Sequence, residues 1–180
     1  SSPMETALLV MIAPDKMVGI TTAWSSKPPV LLSEKYINLP VVGGWFGPNT
    51  ANYETFIAAK PDVVIEGQKE QVEERQTKLG KIPVFAIDTW NVLPTIDMYK
   101  DWITYTGNLL GVETQANSLI AYLNEALQYV KGITSQVPES GKIKVYYAEG
   151  NDGLSTDPTK SSHTELVDVC GGKNVADVVL

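Results

Sequence analysis

Among the residues whose types suit chemistry are four tryptophans, eight tyrosines, one histidine and one cysteine. Trp24, Trp45 and Trp90 stand in loops that follow short apolar runs. In an open parallel sheet, those loops form the edge at which ligands bind. Three flat rings at one edge suit stacking on a large, partly apolar ligand. The competing reading makes each ring a core side chain, the usual place of a tryptophan. Asn49 and Gln68 stand at the same strand ends as polar contacts. Tyr146 and Tyr147 end a later strand, where alternation sends them to opposite faces. One of the two, taken as Tyr147, can meet a ligand, and a phenolate can hold ferric iron. The plainer reading packs that tyrosine on a helix with its hydroxyl hydrogen-bonded.

His163 and Cys170 have no second copy to work with. The usual zinc sites need four cysteines, two of each residue, or three histidines, so no metal site is expected. Ser162, His163 and Asp168 lack the G-x-S-x-G elbow that would make them a hydrolase triad. His163 reads as an exposed helix-start residue. Cys170 reads as a buried, inert thiol on the apolar side of a helix. No GxGxxG, P-loop or HExxH motif is present.

Positioning these residues requires alternating strands and helices. Apolar runs at 17–20, 38–42, 63–65 and 83–87 read as strands. A helix over 51–59 is predicted to bury Tyr53, Phe56 and Ile57, and a polar helix over 69–79 stops at Gly80. Short continuous apolar strands between helices predict an α/β fold with a parallel sheet covered on both faces. Ile96, Tyr99, Ile103, Thr106 and Leu110 then recur at helical spacing up to Gly111. A long helix over 113–134 carries the stripe Ala116, Leu119, Ile120, Leu123, Leu127 and Val130. It reads either as a core helix or as a strut between lobes. A strand over 144–147 restarts the α/β rhythm. Ser162 and Glu165 then match a capping box for a helix running to Gly171 and Gly172. The predicted organisation is an N-terminal α/β lobe (1–94), a helical segment with the long helix (95–137), and the beginning of a second α/β lobe (138–180).

Composition narrows the partners. The 180 residues are 43% hydrophobic and 19% charged, with a formal charge of −7, which describes a globular chain. Such an acidic surface repels phosphate backbones, so nucleic acid is excluded as a general partner. Arg75 is the only arginine, which argues against a multi-arginine pocket for highly anionic chelates. No run approaches the ~20 apolar residues that cross a bilayer.

Several segments occur in a telling order: Asp15 through Ile20; Gly43, Gly44 and Trp45; Asn52, Tyr53 and Glu54; Lys60 through Ile65. Gly153 through Thr156 and Glu165 through Val175 follow. Together they resemble the substrate-binding proteins of ABC importers for ferric siderophores, haem and cobalamin. The resemblance implies two α/β lobes joined by one long helix, a ligand cleft between them, no enzymatic activity and no cofactor. It implies a small-molecule metal chelate and an ABC importer permease as partners, with Glu54 as the first-lobe acid that docks on the permease. It also implies a periplasmic protein, or a lipoprotein anchored outside the cytoplasmic membrane. In the family a first strand precedes the position of Ser1, and the second lobe is longer. The expectation is therefore that this chain self-associates through unpaired sheet edges. An α/β enzyme domain acting on a small molecule or cofactor is the alternative, since an open parallel sheet serves both.

Overall fold

The computed structural model describes residues 3–24, 32–44, 50–87, 95–159 and 161–176. Gly80 and Gly111 close the helices before them in left-handed backbone, at φ 63° and 62°, a conformation open to glycine at little cost. The described helices are α1 (Pro3–Ile12), α2 (Glu34–Ile37), α3 (Tyr53–Ala58), α4 (Val72–Leu79), α5 (Ile96–Leu110), α6 (Glu113–Thr134) and α7 (Glu165–Val169). Between them lie the strands β1 (Val64–Glu66), β2 (Val84–Ala86), β3 (Lys144–Val145) and β4 (Lys173–Asn174). The fold is α/β, and both ladders are parallel.

Packing divides the chain into two units: Ser1–Val92 with Thr106–Gln115, and Leu93–Tyr105 with Ala116–Leu180. In the first, α4 carries the chain from β1 to its parallel neighbour β2, with Ile65 opposite Phe85. Gln76 locks that crossover. Its amide donates to the carbonyls of Gly80 and Ile82, and its oxygen accepts from the Val84 amide at 3.0 Å. Val42, Phe56, Val64 and Leu79 form the core, with Tyr53 and Val84 packed against it. All three residues of β1 are buried, as a strand covered on both faces requires. In β2 both Phe85 and Ala86 are exposed; this strand pairs with β1 alone among the described residues.

The runs at 17–20 and 38–42 shorten to one parallel bridge between Ile20 and Val41. There Ile20 donates to Pro40 at 2.9 Å and accepts from Val42 at 2.8 Å. Within α3, Phe56 is buried and Tyr53 half-buried, but Ile57 is exposed. The expected three-residue face is thus narrower, because a helix of six residues turns Ile57 past its one packed side.

In the second unit β3 pairs β4, with Val145 opposite Asn174. The 22 residues of α6 span about 33 Å. Of its apolar stripe only Ala116 is fully buried; the remainder is half-buried. Glu165 does not complete a capping box with Ser162. Instead Ser161 Oγ accepts from the Thr164 amide at 3.2 Å. The Glu165 carboxylate reaches the free amide of Ile96 at 2.9 Å and caps the start of α5. Cys170 is exposed, not buried: α7 ends one residue earlier, so the thiol falls off its packed side.

Candidate functional site

In the first unit, the segment leading to Trp45 is held from below. Gly43 and Gly44 take positive φ, 70° and 106°. Arg75, on α4, donates to the Gly44 carbonyl at 2.8 Å and pairs with the carboxylate of Glu66 at the end of β1. Both charged side chains are almost fully enclosed, at 4% and 0% exposed. The other Glu66 oxygen accepts from the Gln68 amide at 3.1 Å. Gln68 is therefore buried beside this pair at the strand end. Trp24 is half-buried, and its indole donates to the Tyr36 carbonyl at 3.3 Å. Trp45, Asn49 and Trp90 lie outside the described residues.

A cavity of about 100 Å³ opens among Glu5, Lys16, Met17, Thr21, Phe56 and Val64. It is too small for a siderophore or porphyrin, whose pockets measure ~300–1,000 Å³. Glu54 stands exposed in the first turn of α3. The helix start is capped by Asn52, whose side-chain oxygen accepts from the Thr55 amide at 3.0 Å.

In the second unit, three chemically active side chains converge beyond β3. His163 Nδ1 lies 2.7 Å from Asp157 Oδ2 and 3.3 Å from Glu149 Oε1. The Tyr147 ring stacks on the imidazole, with centroids 5.6 Å apart and planes 22° from parallel. Burial, the charges of Glu149 and Asp157, and a hydrogen bond to Glu149 push the Tyr147 phenol up from its ordinary pKa. Tyr146, by contrast, is exposed. His163 is exposed as expected.

The loops carrying this cluster are tied to buried polar residues. Thr164 Oγ1 donates to the Pro158 carbonyl at 2.7 Å, and Asn174 donates to the Asp157 carbonyl at 3.1 Å. Glu149 donates its amide to Ser155 at 2.7 Å. Reasoning from the sequence misses Glu149 and Asp157. No fixed spacing links them to His163, and only the turn through Gly150 and Gly153, both at positive φ, brings them together.

Residues 1–178 match the family described as periplasmic binding protein. The chain belongs to that family. No curated protein matches the sequence. Among solved structures, an ABC transporter solute binding protein from Sulfurospirillum deleyianum is 28% identical at a TM-score of 0.75. The match covers 100% of this chain and 57% of that one. Staphylococcus aureus IsdE, complexed with haem, is 23% identical (TM-score 0.62), with 95% and 63% covered. The siderophore binding protein BauB, bound to acinetobactin and ferric iron, is 21% identical (TM-score 0.65), with 98% and 60% covered. The last two share the fold. The chain thus spans about three-fifths of the length of these neighbours. The first is a solute binding protein and the last a siderophore binding protein. No described helix is long and apolar enough to cross a membrane.

Proposed function

We propose that this chain is part of an extracytoplasmic solute-binding protein. It captures an iron complex (siderophore or haem) or cobalamin and delivers it to the permease of an ABC importer, from the periplasm or from a lipid anchor outside the cytoplasmic membrane. The observation carrying this reading is the family match across residues 1–178, joined by neighbours that hold haem and a ferric siderophore. Trp24, Trp45 and Trp90 supply aromatic surface, Asn49, Gln68 and Tyr147 supply polar contacts, and Glu54 docks on the permease. The support in the first unit is the anchoring of Gly44, directly before Trp45, by a buried ion pair. An anchored backbone presents an aromatic side chain at low entropic cost.

The test is ligand-induced quenching of tryptophan fluorescence by ferric siderophores, haem and cobalamin in turn. At least one quenches saturably without chemical turnover. Trp45→Ala then binds it about tenfold or more weakly, as loss of a central aromatic anchor requires. Failure of all three chelates to bind rejects the reading. Unchanged affinity in the folded Trp45→Ala protein removes that residue from the pocket.

A further inference from the structure

We propose that Glu149, Asp157 and His163 form a binding site for one divalent first-row transition-metal ion of the zinc, nickel or cobalt type. The inference stands on the second unit alone and holds whether or not the transport reading does. One donor atom from each residue lies within 4.8 Å of the others. Both carboxylates approach the same atom, His163 Nδ1, at 2.7 and 3.3 Å. A single ring proton there is directed at one oxygen, whereas a metal ion is shared by all three donors. Donors at about 2.0–2.2 Å from one ion stand roughly 3–4 Å apart, so small side-chain rotations seat the ion.

The donor set selects the ion. Two carboxylates carry a formal charge of −2, which a divalent cation neutralises and a monovalent one does not. An imidazole nitrogen at the meeting point disfavours magnesium and calcium, which take oxygen donors. With no sulfur in the set, soft cuprous ion is disfavoured too. Tyr147 supplies outer support of the kind such sites carry: its ring stacks on the imidazole, with centroids 5.6 Å apart. Asn174 holds the Asp157 backbone, and Thr164, itself fully buried, holds that of Pro158. The His163 side chain is 55% exposed and that of Glu149 33%. An ion from solvent can therefore enter and keep water on its remaining positions.

His163 is the only histidine, so one set of imidazole resonances reports the site. Zinc chloride is titrated into the tag-free 180-residue chain carrying Cys170→Ser, which removes the exposed thiol as a rival ligand. NMR and calorimetry follow the same titration. One equivalent binds, and the imidazole signals shift in step with the heat. Glu149→Gln and Asp157→Asn each weaken binding more than Tyr147→Ala, which loses only the ring stacked on the imidazole and costs about tenfold. Zinc saturation that leaves the imidazole unmoved overturns the proposal, as does the absence of saturable binding into the millimolar range. The NMR result in the Cys170→Ser chain decides the matter even if a ligand variant fails to fold.

Discussion

Arg75 hydrogen-bonds the Gly44 carbonyl at 2.8 Å. The only arginine of the chain is thereby enclosed in the first unit, paired with Glu66, and is not displayed to solvent. The pair joins α4, the end of β1 and the glycine turn before Trp45 into one polar cluster. Breaking such a pair from one side leaves a charge without its partner in a low-dielectric surrounding. Arg75→Met is expected to cost about 3–5 kcal/mol. Combining it with Glu66→Gln should recover part of that loss, because the buried negative charge left without its cation is gone. Urea unfolding of the two variants measures both effects. A single-variant loss below about 1 kcal/mol would contradict the enclosed geometry.

Gly171 sits at φ 75°, just past α7, against the end of α6. A Cβ built there meets Thr134 Cβ at 3.0 Å and Cγ2 at 3.1 Å. Gly171→Ala is therefore expected to lose about 1–2 kcal/mol from the left-handed backbone alone, and more from the contact. Thr134→Ser removes the crowding methyl while keeping the hydroxyl that donates to Val169 at 3.3 Å. Thermal melting should show the serine rescuing part of the alanine defect. Equal melting of the single and double variants would show that the methyl adds nothing to the backbone cost and the contact with Thr134 Cβ.

The Tyr147 phenol is raised first by burial, then by the charge of Glu149, then by that of Asp157 and by its bond to Glu149. A pKa raised in the folded state contributes stability below the unfolded value, near 10, that is lost as pH climbs through the folded value. Selective tyrosine carbon labelling with NMR is expected to show Tyr147 ionising above that ordinary value. Glu149→Gln should bring it down, since one negative charge and one acceptor leave together. Ionisation of Tyr147 at the ordinary value in the unmodified chain would exclude the half-buried placement of the phenol beside the two carboxylates.

What the sequence discloses here is mostly local. The bounds of α6 and the glycine stops at Gly80 and Gly111 follow from periodicity and backbone freedom, which neighbouring residues decide among themselves. Burial of single side chains depends on partners far along the chain. Thus Ile57 and Cys170, apolar by type, stay exposed, while Glu66 and Arg75, charged by type, lie inside. The capping box read at Ser162 and Glu165 does not form. Thr164 stands at the start of α7 without a side-chain cap bond, and Glu165 turns to Ile96 across 69 residues of sequence. The meeting of Glu149, Asp157 and His163 is not legible at all, because a loop with glycines at positive φ sets it. Arg75 could have been suspected: a lone arginine on a polar helix directly after a buried strand is placed to pair with that strand's terminal acid.

Glu54 provides the test of delivery as distinct from capture. The segment Asn52, Tyr53 and Glu54 resembles the stretch that carries the docking acid in the family, and in the structure Glu54 is exposed beside the Asn52 cap. Tyr53, its neighbour, turns inward and donates to Glu74 at 3.0 Å, so the two residues face different surroundings. An acid at a helix start is favoured by the helix dipole even without a partner. Exposure alone therefore does not identify a docking residue, and transport must be measured separately from binding. Glu54→Arg is expected to leave ligand-induced fluorescence quenching unchanged, because the side chain sits on the outer surface of α3. Uptake through the partner importer reconstituted in vesicles is expected to fall at least about tenfold, since a like-charge contact replaces a complementary one at the rim of a transient interface. Higher salt should narrow the gap between the two proteins by screening that repulsion. Uptake equal to that of the unmodified protein removes Glu54 from the docking surface. Loss of ligand binding in Glu54→Arg instead moves the residue to the ligand site.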